Sequence, residues 1–210
     1  MKKNFLLLPL ITSLSFSLFS GCVQPVIAPG NKPITGSTSI PSSGTQGTSA
    51  ENDLTVNKAL SLEPLATEKN MARLPGVIVN VSSTYEGWDK ERLNDGVLDT
   101  SWFTNIGDAA NLGKSPFVQI VFPQVVSVQG VNFRGNREYN EGYDILEGIL
   151  TLTDKDGKNY PFIVKLPPPD RDFNVKFKNK FSNIVSLKFT FTKDESNEPG
   201  FAEIEVEGSK

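Results

Sequence analysis

The spacing of hydrophobic residues changes about a third of the way along the chain. From residue 77 onward, short apolar runs alternate with turn residues. The segment 185–192 reads VSLKFTFT and alternates strictly, which is the period of a strand with one buried face. The segment 117–122 is nearly all apolar, which predicts a strand buried on both faces. Further strands are predicted at 77–81, 128–133, 149–153, 160–164 and 201–206.

The turns between these runs indicate how the strands connect. Residues 154–158 read DKDGK and predict a hairpin between two of the strands. Trp102 occupies a position in the in-and-out alternation of a strand at which the side chain is expected to point into the core. Several short strands with turn signals and no long helical period are typical of an antiparallel sandwich. The fold class predicted is therefore all-β, and about 135 residues can bury an adequate core.

The first third of the chain lacks this pattern. Residues 23–50 are rich in Pro, Gly, Ser and Thr and cannot bury enough apolar surface to offset the entropy of ordering. Residues 51–74 are more mixed, but Pro64 would interrupt any short helix there. We therefore predict a disordered linker over residues 22–74 and a folded domain over 75–210. A flexible tether of this length has a root-mean-square span of about 40 Å.

The N-terminus has the features of an export signal. Lys2 and Lys3 precede an apolar stretch over residues 5–19, which is shorter than the ~20 residues that span a bilayer. Residues 19–22 read FSGC and resemble a bacterial lipobox, with Phe19 where the pattern prefers Leu. We expect a signal peptide over 1–21 and lipid on Cys22. The protein would then be a membrane-anchored lipoprotein that faces the periplasm or the cell exterior; a plain secretory signal with a chance cysteine is the alternative.

Composition excludes several classes of function. The formal net charge of −3 and a pI of 5.1, with scattered Lys and Arg, argue against nucleic-acid binding. The chain contains no histidine, which removes Ser-His-Asp and Cys-His triads and His-ligated zinc. Cys22 is the only cysteine, so no internal disulfide can form. Pairs of carboxylates are the chemistry that remains available.

Two distant segments bring together oxygen-rich residue types. Residues 93–102 read LNDGVLDTSW, and residues 200–206 read GFAEIEV. Asp95 lies in a turn, Thr100 offers a hydroxyl and a carbonyl, and Glu203 comes from the last predicted strand. Hard cations such as Ca²⁺ bind six to eight oxygens. The alternatives are a metal-free loop in which Asp95 caps a turn, or a catalytic carboxylate pair such as glycosidases use.

Together these two segments resemble the start and end of a discoidin domain, also called the coagulation factor 5/8 type C domain, of the galactose-binding-like fold. The resemblance covers residues 76–208. It implies a jelly-roll β-sandwich that binds ligands and is not an enzyme. It also implies a structural Ca²⁺ held by the side chains of Asp95, Thr100 and Glu203. The remaining ligands would be the backbone carbonyls of Arg92, Val97, Thr100 and Ala202.

The resemblance further implies a ligand face built from loops at one end of the sandwich. The candidate contacts are Trp88, Phe103, Asn105, Arg134 and Arg137. Aromatic faces stack on sugar rings, and Arg and Asn donate hydrogen bonds to hydroxyls. Phe103 stands where sugar-binding relatives often place a histidine. The alternative is that residues such as Trp88, Tyr139 and Tyr143 only brace the loops.

The function predicted from these features is noncovalent binding by a monomeric module on a bacterial envelope. The expected partner is a glycan or another cell-surface ligand, with the membrane reached through the lipid anchor and no nucleic acid bound. A protein-interaction or envelope-scaffold role that uses the same loops is the alternative. A concave pocket with an exposed aromatic residue and an arginine would favour sugar, and a flat face would favour the scaffold.

Overall fold

A computed structural model of the chain describes residues 53–58, 63–139, 143–166, 168 and 171–210. These residues belong to the unit Gln46–Lys210. The predicted signal peptide, Cys22 and the first part of the predicted linker lie outside the described residues. None of the helices that the structure describes is long and apolar enough to span a membrane.

Antiparallel strands form the fold, and this confirms the all-β jelly-roll prediction. The strands are β1 Leu54–Lys58, β2 Ile78–Val81, β3 Trp102–Phe103, β4 Phe117–Gly135, β5 Ile145–Asp154, β6 Asn159–Lys165, β7 Asp172–Asp194 and β8 Gly200–Ser209. Their order is β3-β8-β4-β7-β5-β6, with β1 paired to β7 and β2 paired to β4. Short 3-10 helices occupy Met71–Arg73, Lys90–Asn94 and Ala110–Leu112.

The two longest strands change partners along their length. The first part of β4 pairs with β2, and its second part pairs with β8. Likewise, the first part of β7 pairs with β1 and its second part with β5. Register shifts in β4 between Val121 and Gly130 separate the two parts. Since β-bulges bend a strand, these shifts let one continuous strand serve both layers where the sequence predicted two strands.

Aromatic side chains fill the centre of the sandwich. Phe133, Phe189 and Phe201 lie with ring centroids 4.6 to 6.1 Å apart. Trp102 is fully buried, as its parity predicted, and its indole Nε1 donates to Thr84 Oγ1 at 3.3 Å. Each fully buried aromatic side chain of this size stabilises the fold by about 1.5–3 kcal/mol. This core fixes the ends of β3 and β8, from which the loops described below project.

The fold includes residues that the sequence analysis assigned to the linker. β1 pairs with β7 over five residues, from Leu54 opposite Phe177 onward, and Leu54 and Val56 pack against the core. Met71 is fully buried, and the Asn70 side chain accepts a hydrogen bond from Val206 N at 3.0 Å. The predicted boundary at residue 75 is therefore too late. The apolar residues before it are few, but they are held by partners far along the chain.

Candidate functional site

A small cleft lined by aromatic rings lies among the loops near β3. Its volume is about 140 Å³, and its lining residues are Tyr85, Trp88, Phe103, Tyr139, Tyr143 and Glu198. We call it the aromatic cleft. The loop after β2 supplies the first two residues, β3 supplies Phe103, the β4–β5 loop supplies both other tyrosines, and the β7–β8 loop supplies the glutamate. Four separate segments therefore converge on one concave surface.

The rings of the aromatic cleft support one another. Tyr139 and Tyr143 stack with centroids 4.6 Å apart. Phe103 meets both of them edge-on, at 5.5 and 5.6 Å. Trp88 lies edge-on to Phe103 at 6.1 Å and to Tyr85 at 5.3 Å. Edge-to-face and offset stacking are the preferred arrangements of aromatic pairs, so the walls are set before any ligand arrives.

Hydrogen bonds fix the orientation of Trp88. Its Nε1 donates to Glu138 Oε2 at 2.7 Å, and Ser101 N donates to the same oxygen at 3.1 Å. Arg92 pairs with Glu138 at 3.4 Å and donates to the Gly87 carbonyl at 2.8 Å. Gly87 has φ 88°, which glycine adopts readily and which permits the tight turn before the tryptophan. Since the indole N–H is already used, Trp88 offers a ligand its ring surface.

Two of the five predicted ligand contacts meet in the aromatic cleft, namely Trp88 and Phe103. Asn105 is exposed near them but does not line the cleft. Its backbone N donates to Ser83 Oγ at 2.9 Å, and its Oδ1 accepts from Ile106 N at 3.0 Å. Asn105 thus shapes the loop that follows Phe103.

Arg134 does not lie on an exposed loop, so that expectation is wrong. β4 continues to Gly135, and Arg134 is only 2% exposed. Its Nε and Nη2 donate to Glu205 Oε2 at 3.0 and 2.8 Å, and Nη2 also donates to the Glu63 carbonyl at 3.1 Å. It borders a pocket of about 840 Å³ beside β1, whose described lining shares no residue with the aromatic cleft. Arg134 therefore belongs to a buried ion pair.

Arg137 is also engaged within the fold. Its Nη2 donates to both carboxylate oxygens of Asp172, at 2.7 and 2.6 Å, and its Nη1 donates to the Gly135 carbonyl at 3.0 Å. It does not line the aromatic cleft. The bidentate pair instead ties the β4–β5 loop to the start of β7. The expectation that Trp88, Arg134 and Arg137 share one ligand face is therefore wrong.

Sequence reasoning gave too little weight to the remaining wall of the aromatic cleft. Tyr139 and Tyr143 were considered both as part of the ligand face and as loop braces but were not among the five predicted contacts, and Glu198 was not considered. Glu198 lies in the turn directly before β8, the strand that carries the second half of the family resemblance. The sequence did offer one signal. The turn that contains Glu198 directly precedes β8, and β8 pairs with β3, the strand that contains Trp102 and Phe103.

The two segments of the predicted cation site do meet. Gly96 N donates to Glu203 Oε2 at 3.1 Å and to Oε1 at 3.3 Å. Gly96 has φ 80°, a backbone conformation that other residues rarely adopt, so a substitution there would strain the loop. Val97 N donates to Asp95 Oδ1 at 2.7 Å, and Thr100 Oγ1 donates to the Val97 carbonyl at 3.4 Å.

These residues fit a hard cation in their donor chemistry. Glu203 is fully buried, and this burial raises the pKa of its carboxyl to about 8, although the Gly96 hydrogen bond opposes the rise. The charges of Asp95 and Glu205 raise that pKa further. A cation would relieve this cost. Among the described residues no group of three or more His, Cys, Asp or Glu side chains gathers, so hydroxyl and carbonyl oxygens would complete the shell.

No protein-family model matches the sequence, and no curated protein matches it. Solved structures do match. The F5/8 type C domain of a Bacteroides fragilis protein has 18% identity and a TM-score of 0.54, over 64% of this chain and 93% of that one. The family 32 carbohydrate-binding module of Clostridium perfringens NanJ, solved with galactose, has 15% identity and a TM-score of 0.54, over 62% and 92%. The lectin domain of lectinolysin, solved with Lewis B antigen, has 19% identity and a TM-score of 0.54, over 67% and 97%. At these identities the likeness concerns the fold, and this chain has the galactose-binding-like fold of discoidin domains and family 32 modules.

Proposed function

We propose that this chain is a non-catalytic carbohydrate-binding module and that the aromatic cleft is its sugar site. The observation that carries the proposal is the convergence of five aromatic rings and one carboxylate on a concave surface. Ligand sites in proteins are concave, largely apolar or aromatic, and contain a few placed polar groups. Tyr139 is 39% exposed, so a ligand can reach the ring surface.

Two of the structural neighbours support a glycan ligand. The Clostridium perfringens module was solved in complex with galactose, and the lectinolysin domain in complex with Lewis B antigen. Aromatic rings pack on the apolar face of a sugar, while the tyrosine hydroxyls and Glu198 can hydrogen-bond its hydroxyl groups. The cleft is concave rather than flat, which favours a sugar over the scaffold alternative. None of the described residues in its lining is an arginine, in contrast to the expectation from sequence.

A binding role also agrees with the position of the acidic pair. Glu203 is fully buried against the loop that contains Gly96, and Asp95 accepts a backbone hydrogen bond within that loop. Both carboxylates are therefore committed to holding the loop, which leaves them poorly placed to reach a glycosidic bond. The calcium proposed here would be held by Asp95, Thr100, Glu203 and nearby carbonyls, and it would stabilise the loop without entering any reaction.

The location proposed is a bacterial envelope. Lipid on Cys22 would anchor the chain, and the Pro-, Gly- and Ser-rich segment after it would hold the module away from the membrane. A monomer suffices for this role, because the cleft is built by one chain.

A glycan array tests the proposal. The full chain, purified in detergent, should bind neutral or amino-substituted sugars, and Trp88→Ala and Tyr139→Ala should each weaken binding by about tenfold or more. Leu112→Ala is the control, because Leu112 is an exposed apolar residue outside the cleft. Absence of any glycan binding, or unchanged binding by both cleft variants, would contradict the proposal.

A further inference from the structure

The charge of the aromatic cleft is one-sided. Among the described residues that line it, Glu198 is the only one with a formal charge, and none is a lysine or an arginine. The other five lining residues are aromatic. Glu198 is half-buried, and within the described part of the chain its carboxylate has no recorded ion pair or hydrogen bond. A carboxylate is thus presented to the cleft without a protein cation to balance it.

The arginines near the cleft are neutralised elsewhere. Arg92 pairs with Glu138 at 3.4 Å, and Glu138 also accepts from Trp88 Nε1. Arg171 pairs with Asp144 at 3.2 Å and donates to the Tyr139 carbonyl at 2.7 Å. Each of these cations is held by an acidic partner outside the cleft lining. Among the described residues of the cleft lining, Glu198 is therefore left without a neighbouring cation that is free to balance it.

The aromatic walls reinforce the same preference. An aromatic ring has a negative face, and a cation within about 6 Å of its centroid is attracted to it. Cages of several rings are the usual means by which proteins hold organic ammonium groups. A carboxylate beside such rings adds a charge-assisted hydrogen bond to an N–H donor. An anionic ligand would meet repulsion from Glu198.

We infer that the aromatic cleft selects a ligand that carries an organic ammonium group, with Glu198 as its counter-charge. This inference rests on the proposed use of the cleft as the ligand site. Two sources share the required chemistry. One is an amino sugar with a free amine, and the other is a quaternary ammonium headgroup such as choline.

Calorimetry with matched ligands tests the inference. The full chain in detergent is titrated at about pH 6, where a sugar amine is protonated, with methyl galactosaminide, methyl galactoside, methyl N-acetylgalactosaminide and choline. The amine should bind about tenfold more tightly than the two neutral sugars, and the preference should shrink as salt is added. Glu198→Gln should remove the preference. Glu195→Gln, which removes an exposed charge from the same loop outside the cleft, should retain it.

The outcomes separate the inference from the proposed function. Equal binding of the amine and the neutral sugars would overturn the inference and leave carbohydrate binding intact. Binding of choline without binding of any sugar would support the inference and contradict carbohydrate binding. Tighter binding of the amine that survives in Glu198→Gln would also overturn it, because the counter-charge would then lie elsewhere. If no ligand in the set binds, both fail.

Discussion

Replacement of Arg134 by methionine should destabilise the fold without damaging the aromatic cleft. The Arg134 side chain is 3% exposed and that of Glu205 is 1% exposed. The guanidinium makes two hydrogen bonds to Glu205 and one to the Glu63 carbonyl. Methionine retains most of the volume of the arginine stem, so the effect of the change is mainly electrostatic.

The magnitude follows from what remains around Glu205. Asn132 Nδ2 still donates to its Oε2 at 2.8 Å, and Leu65 N donates to its other oxygen. Arg134 is the cation that pairs with Glu205, and removal of one partner of a buried pair costs about 3–5 kcal/mol. A domain of this kind has a total stability of about 5–15 kcal/mol. The loss should therefore be a large fraction of the free energy of unfolding.

Urea denaturation measures this loss as a lower midpoint with an unchanged slope. A second variant, Arg134→Met with Glu205→Gln, should recover at least half of the loss, because the uncompensated charge is removed while an acceptor for Leu65 N is kept. Sugar affinity per folded molecule should equal that of the wild type in both variants. A loss below about 1 kcal/mol in the single variant would refute the reasoning, since it would show that the pair contributes no more than a surface salt bridge.

Three further predictions concern the anchor, the cation and a buried acid. Cys22→Ser should leave the protein unlipidated and shift it out of the detergent-extracted membrane fraction; a cleaved variant that stays in that fraction would contradict the anchor. Chelator should lower the melting temperature of the wild type, because a cation at a hundredfold excess over its Kd stabilises the fold by about 2.7 kcal/mol. The melting temperature of Asp95→Ala should not respond to chelator. Identical wild-type melting curves with and without chelator would remove calcium from the site. Burial raises the pKa of Asp194, so its contribution to stability is greatest below its unfolded pKa and is lost as the pH rises through the folded pKa. Asp194→Asn should therefore gain stability relative to the wild type between about pH 4 and pH 7, as urea denaturation at both values can show; the opposite slope would contradict the assignment.

The fold could be predicted because strand periodicity is a local property. The alternation over 185–192 and the apolar run over 117–122 both fall within strands of the structure. β1 also alternates, with Leu54 and Val56 facing the core. β1 was missed because a strand of five residues that follows a polar segment is too short to show a clear period. Its pairing with β7 is what identifies it.

The site could be predicted only in part, because it depends on contacts between distant segments. Arg134 sits on the polar face of β4, opposite Phe133, and such faces are usually exposed. In this fold, Glu205 and the Glu63 backbone bond to Arg134 and bury it, and no local sequence pattern indicates these contacts. Phe103 was predicted because it directly follows the motif at 93–102, and Trp88 because it lies in the loop after the first predicted strand. Glu198 was missed because it reaches the five aromatic residues only through the turn before β8, which no local pattern indicates.

The position of β1 has a mechanical consequence if Cys22 anchors the chain. Tension between the membrane and a ligand in the aromatic cleft would enter the module at residue 53 and load β1 first. Five residue pairs hold β1 to β7. The next attachments are Glu63 and Leu65, whose carbonyl and backbone N bond to Arg134 and Glu205, followed by Asn70, whose side chain accepts from Val206 N and Ala72 N. Release of β1 would free the chain only as far as Glu63, and the nine residues 54–62 span about 30 Å when extended. The edge strand would then serve as reserve length that lengthens the tether under load before the bound ligand is lost.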